Sequence, residues 1–423
     1  MEKKFRIISI IFILGSILVY GARFGYYYIK YNKKASNNTK SEVLSMTISK
    51  NNKIVKSDDG LYNNNGELVF KGTNVNNYLI YSNILWRIVK VNNDNSVVLI
   101  TDSKLTDLAY VKDDFLTSDI NDWLNKSNEY TGIFIDKLND KEKYLVPTTI
   151  CLDDINNLKN ITCHKKETEK YVSLLNVADY LNSKNEDSYI NNTGSLWTVN
   201  KKETNKLWYI SEGNLSNDLA TNIHGIKPVI TLKNTIGITS GDGTKNNPYR
   251  IEKEDNNIKF NSYVKLGNDL YTVYDSDNEI IKLVNTNLVN DNRIRYLKYY
   301  NNEFDTKLNT SIANYLNTTY YNSLTYKNNL IDCTYYTGDY KTSYKDIYNK
   351  NIKTKVGLLS ISDINMDNTL TNYFLLNRYN NVVMSINDSK EISTNKIRPT
   401  VCISKTTKLK GNGTINNPFE LEA

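Results

Sequence analysis

The sequence predicts an α+β chain in which an N-terminal transmembrane helix precedes two tandem strand-rich domains. Three observations carry this expectation: an uncharged apolar run near the N-terminus, an internal repeat across most of the remainder, and short alternating apolar segments punctuated by turn residues. The boundaries that follow are 1–28 for a cytoplasmic tip and signal anchor, 29–57 for a stalk, 58–253 for a first extracellular repeat and 258–423 for a second.

The N-terminal element comes first. Ile7 to Ala22 (IISIIFILGSILVYGA) carries no charge and follows Lys3, Lys4 and Arg6, the order of a basic lead and an export-type apolar core. It is shorter than the roughly 20 residues of a full span. Arg23 can snorkel, and Phe24, Tyr26, Tyr27 and Tyr28 supply an interfacial aromatic belt. The reading is an uncleaved single-pass anchor in the cell membrane, with the lipid bilayer as its partner and the bulk of the chain outside the cell. Cleavage after Val19-Tyr20-Gly21 is the alternative. The formal net charge of +7 belongs to this region: eight of the 53 basic residues and one of the 46 acidic ones lie in Met1 to Lys40. What remains is balanced, which argues against nucleic acid as a partner. Residues 29–57 hold few large apolar side chains and many Asn, Lys and Ser, the composition of a stalk.

The repeat is explicit. Gly241 to Glu252 (GDGTKNNPYRIE) and Gly411 to Glu422 (GNGTINNPFELE) are identical at seven positions, and four of the five prolines form matched pairs, Pro228 with Pro399 and Pro248 with Pro418. Upstream, Asn76 to Val91 answers Phe260 to Asp275, with Trp86 matching Tyr271. Ser118 to Asn125 (SDINDWLN) answers Thr310 to Asn317 (TSIANYLN). Lys170 to Leu181 answers Lys355 to Ile364, and Ser195 to Asn200 answers Tyr373 to Asn377.

Within the first repeat, periodicity predicts strands at Tyr78 to Ile80, Ile84 to Val91 and Val97 to Ile100, joined by turns at Ser82-Asn83 and Asn92 to Asn95. Asp119 to Leu124 reads as a short helix capped by Ser118. A strand at Val172 to Leu175 leads into a second short helix at Asn176 to Leu181. Late strands follow at Trp197 to Val199, Leu207 to Ile210 and Ile226 to Leu232, and a Gly241-Asp242-Gly243 turn leads into Tyr249 to Ile251.

These stations resemble a family of repeated bacterial surface domains. The residues that carry the resemblance are Trp86-Arg87-Ile88-Val89, Trp123-Leu124-Asn125, Leu174-Leu175 with Asp179-Tyr180, Trp197-Thr198, Ile226 to Val229 and Gly241 to Tyr249. The order of helix, tryptophan strand and proline strand also resembles the C-type-lectin-like superfamily, including its formylglycine-generating branch. The resemblance implies C-type-lectin-like domains. The second repeat departs from it: tyrosine stands for Trp86 and Trp123, and Phe374 for Trp197.

The chemistry-bearing residues are few. Four cysteines outside a membrane favour disulfides; the expected pairs are Cys151 with Cys163 and Cys333 with Cys402. Cys333 is read as matching Cys151, and Cys402 occupies the strand site of Thr231. His164 beside Cys163 leaves a zinc set incomplete. The other histidine, His224, also has no counterpart in the second repeat. Calcium ligation, common in true lectins, lacks its motifs here, and Asp242 becomes Asn412, so no metal or other cofactor is expected. The GDGT segment reads as a glycine-dependent turn. Arg87, Lys227 and Arg398 read as structural. The four tryptophans read mainly as core, with Trp208, Tyr209 and Trp197 the candidates for stacking on a sugar ring. With no repeated carboxylate or nucleophile set, an enzyme is not expected. The preferred function is binding of a cell-surface glycan or protein by two lectin-like modules. A structural envelope scaffold and an enzyme of the formylglycine-generating type are the alternatives.

Overall fold

A computed structural model describes residues 42–127, 133–191, 194–253, 255–289, 303–367, 369–379, 382–386 and 396–422. Strands make up 40% of it and helices 16%, so sheets carry the architecture and helices only decorate it. This corrects the expected fold class and location. The longest regular α-helix among the described residues, Leu44–Asn51, has 8 residues where a span needs about 20, and no described helix is long and apolar enough to cross a membrane. Ile7 to Ala22 lies outside the described residues. A transmembrane helix, and the single-pass placement built on it, therefore have no support in the structure.

The stalk reading also changes from Val43 onward. Leu44 and Ile48, one helical turn apart, are buried, the Leu44 N–H donates to the Ile236 carbonyl at 2.8 Å, and Asn51 donates to the Tyr249 hydroxyl. Two apolar residues at helical spacing are enough to dock a segment whose overall composition is polar.

Both halves follow one topology. In the first, the hairpin Tyr78–Tyr81/Ile84–Val91 continues antiparallel to Val97–Thr101, then Pro228–Leu232, then Val172–Leu174. Tyr249–Arg250 returns parallel to the first strand. In the second, Tyr263–Leu266, Asp269–Ser276, Ile280–Asn285, Thr400–Ser404 and Val356–Gly357 repeat that order, and Phe419 pairs parallel with Val264. Even the irregularity repeats: the ladder slips between Ile88 and Lys90 and again between Val273 and Asp275. One hairpin, Gly60–Asn64/Glu67–Lys71, is added only to the first half, where Leu68 pairs with Val91.

The two halves are not beads on a string. From Val43 the chain is one compact unit, and a single buried cluster contains Trp86, Trp123 and Phe134 of the first half with Tyr274, Leu359 and Tyr373 of the second. The Trp123 indole donates across to the Ser362 carbonyl at 2.9 Å, the Ala109 N–H donates to the Tyr340 hydroxyl, and Asn83 and Asn261 each donate to backbone carbonyls of the other half.

The shared motifs are spent on holding backbone. Ser118 and Ser311 cap equivalent helices by accepting from the N–H groups of Asn121 and Asn314. The asparagine that ends the Trp-Leu-Asn motif is a clamp: Asn125 donates to the Val172 carbonyl and accepts from its N–H, and Asn317 does the same with Val356. Asn125→Ala strands both groups of an edge residue, so a loss of about 2–3 kcal/mol is expected. Urea denaturation of the variant checks this; a loss below half a kcal/mol would refute the clamp.

The GDGT turn is equally structural. Asp242 and Asn412 each accept from the N–H and hydroxyl of the threonine two residues on. Gly241 and Gly411 have φ of +91° and +123° and lie against the Pro248 and Pro418 carbonyls, where a side chain is excluded twice over.

Candidate functional site

The residues expected to stack on a ligand lie in the interior. Trp197 and Trp208 are 2% and 7% exposed, and their indole N–H groups donate to the carbonyls of Leu108 and Ile155 at 3.0 and 2.9 Å. A ring face covered by protein cannot stack on a sugar; only Tyr209 is partly open, and it lies on His224 with ring centroids 4.2 Å apart. Trp86 and Trp123 are fully buried as well. Weak acrylamide quenching of the native fluorescence is therefore expected, rising sharply on denaturation, whereas strong native quenching would contradict this placement.

His224 is paired with Asp218 at 2.9 Å. Burial holds its pKa below the ordinary histidine value, against the opposing pull of the carboxylate. No serine or cysteine nucleophile is described within hydrogen-bond reach of it.

Both expected disulfides are present, Cys151–Cys163 and Cys333–Cys402. The bridge between Cys151 and Cys163 also settles the nearby group of Cys151, Asp153 and Cys163, since bonded sulfurs offer no thiolate to a metal. One equivalence is corrected by the strand ladder. Thr231 pairs with Val146 and Cys402 with Ile331, and Thr148 and Cys333 each follow two residues later. Cys333 therefore matches Thr148, three residues before Cys151.

Arg87, Lys227 and Arg398 are buried. Lys227 donates to the Asp102 carbonyl and Arg398 to the Asn285 carbonyl, acceptors one residue apart in the repeat register, so the task is similar and the partner shifted. Burial pushes the Lys227 ammonium down to about 8. Arg87 lies 3.7 Å above the Tyr78 ring and 3.4 Å from Asp102.

Nothing in the sequence reading singled out the charges that lock the halves together. Lys137 of the first half forms a buried ion pair with Asp275 of the second, and Lys282 joins from 2.9 Å. Burial opposes ionisation of Asp275, but Lys282 and Lys137 outweigh it and hold its pKa at about 2. Beside them Asp363 is pushed up to about 6, chiefly by burial. The pattern-level signal was faint: Asp275 aligns with Lys90, a reversal of charge at one strand position.

Two openings among the described residues bear on binding. The first is a groove of about 850 Å³ between the halves. Equivalent positions of the repeat both line it: Leu85 and Leu270, Asp102 and Thr286, and Lys245 and Ile415. The second, about 450 Å³, belongs to the first half alone and is bordered by Glu67, Lys90, Thr148, Ser173, Asp179 and Thr231. Burial works against the Lys90 charge, but Asp179 and Glu67 outweigh it and hold its pKa above the ordinary value.

Comparison with known protein families, with curated proteins and with solved structures finds no match for this chain.

Proposed function

We propose that the protein is a non-catalytic ligand-binding protein whose two halves jointly present a groove to a glycan or a protein segment. The observation that carries this reading is the groove of about 850 Å³ to which both halves contribute equivalent positions. Its walls combine apolar residues such as Leu85, Phe260 and Tyr274 with the polar groups Asp102, Asp367 and Arg398, a composition suited to ligand clefts, which tend to form between packed units. Arg398 is buried behind this wall, bonded to Asn365 at 2.8 Å with Asp367 at 3.8 Å, and holds those two residues in place. The likeness of the motif order to lectin-like modules supports the same ligand class.

The test is a glycan array together with a pull-down using the full chain. Ile415 is 60% exposed and Lys245 is also exposed, so Ile415→Asp and Lys245→Glu change the groove rim without disturbing the core. A captured ligand should be lost at least tenfold in the pair of substitutions. Silence in both assays, or capture indifferent to both substitutions, would remove the groove from consideration.

A further inference from the structure

The halves form an internal comparison: one strand frame is built twice, filled in one copy and open in the other. In the second half the space is closed by three features. The Cys333–Cys402 disulfide crosses it. The Tyr335 ring lies over Gly357, where an added Cβ would come within 2.4 Å of the ring, and its hydroxyl donates to the Thr400 carbonyl at 3.1 Å. Lys282, opposite Asp275 in the ladder, is buried on the same strand face in an ion pair with it at 2.9 Å.

Each feature is exchanged in the first half. Thr148 and Thr231 replace the two cysteines, with their hydroxyl oxygens 3.4 Å apart. Ile150 replaces Tyr335, so Ser173 can stand where Gly357 is required. Val98, opposite Lys90 in the ladder, replaces Lys282. The result is the opening of about 450 Å³. On its rim Lys90 is held 3.0 Å from Glu67 and 3.0 Å from Asp179, and Glu67 comes from the added hairpin that the second half lacks.

We propose that this first-half opening is a binding site for a polyhydroxylated ligand, a sugar ring or a comparable polyol. Hydroxyls of Thr148 and Thr231 can donate and accept, the Ser173 hydroxyl, which donates to the Leu174 carbonyl at 3.2 Å, can accept, Asp179 and Glu67 accept, and Lys90 donates. Neighbouring hydroxyls of a sugar answer such closely spaced mixed groups, whereas an apolar ligand would strand them. An anion would face Glu67, Asp94 and Asp179 with Lys90 as the lining cation. The site is separate from the groove between the halves, so either can fail alone.

The experiment uses the full chain with glucose, galactose, mannose and N-acetylglucosamine, each titrated through the millimolar range by saturation-transfer NMR. At least one sugar should bind saturably. A Thr148→Cys/Thr231→Cys variant, with its bridge closed as in the second half, should bind at least tenfold more weakly. A dithiol reductant, which returns the bridge to two thiols, should restore binding under conditions where the wild type still binds. If that variant does not fold, Ile150→Tyr with Ser173→Gly transplants the second half's own filler and should give the same loss. Absence of saturable binding by all four sugars overturns the proposal, and so does binding that survives the filled pocket.

Discussion

Asp275→Asn is expected to destabilise the protein by about 3–5 kcal/mol, the largest effect of any single substitution considered for this fold, because it leaves two ammonium groups in the interior without their carboxylate. Lys137, Asp275 and Lys282 are 7%, 9% and 12% exposed at their side chains, so water cannot take over the lost role. Lys137→Met should cost less, since Asp275 keeps Lys282. Urea denaturation of the two variants checks the order; equal losses, or a loss under 1 kcal/mol for Asp275→Asn, would show that the pair does not lock the halves.

The same cluster sets a pH dependence with opposite signs from its two acids. Asp275, held at about 2, contributes stability that is present above the ordinary carboxylate range and lost as pH falls through it. Asp363, raised to about 6 by burial, binds its proton more tightly in the folded state, so its contribution declines as pH rises from about 4 to 6. Asp363→Asn should therefore remove a fall in stability between pH 4 and 6 while leaving the loss at lower pH. A wild type whose stability does not fall across that window, relative to the variant, would refute the assignment.

Removing the Cys333–Cys402 bridge is the second large effect. The bridged residues are 69 apart, for which loop-closure entropy alone predicts about 4 kcal/mol, against about 3 kcal/mol for the separation of 12 at Cys151–Cys163. Cys333 and Cys402 are also 1% and 0% exposed, so paired alanines leave an unfilled space in the core as well. The double alanine variant of this pair should show the larger fall in melting temperature. Exposure sets the reverse order for reduction: Cys151 and Cys163 are both partly exposed, and limited reduction with alkylation should label them first. Labelling of Cys333 and Cys402 ahead of them would contradict their burial.

Much of the local structure was legible. The strands at Ile84 to Val91 and Val97 to Ile100, the Ser118 cap, the helix at Asn176 to Leu181 and the glycine turn at Gly241 all follow from side chains a few residues apart, and all occur. The repeat was legible because identical turns and prolines recur in order. The misjudged features each depend on residues far away in the chain. Trp208 sits in an amphipathic strand, but Ile155, 53 residues earlier, supplies the carbonyl that its indole donates to. Leu44 and Ile48 look like isolated apolar residues in a polar stretch until the Ile236 carbonyl receives the Leu44 N–H and both side chains join the core. The Cys333 equivalence slipped because identity is thin there and only the ladder fixes the register.

By itself, the sequence determined that the chain is duplicated, where many of its short strands and caps fall, and that its four cysteines favour disulfides. These depend on spacing and chemistry within each segment. Only the tertiary structure decided that no described helix can cross a membrane, that the two halves share one core, that the tryptophans are covered, and that one copy of the frame is open while the other is filled. Periodicity tells which face of a strand is apolar. What lies over that face is set by side chains that meet only once the chain has folded, as Tyr335 meets Gly357 and Lys137 meets Asp275.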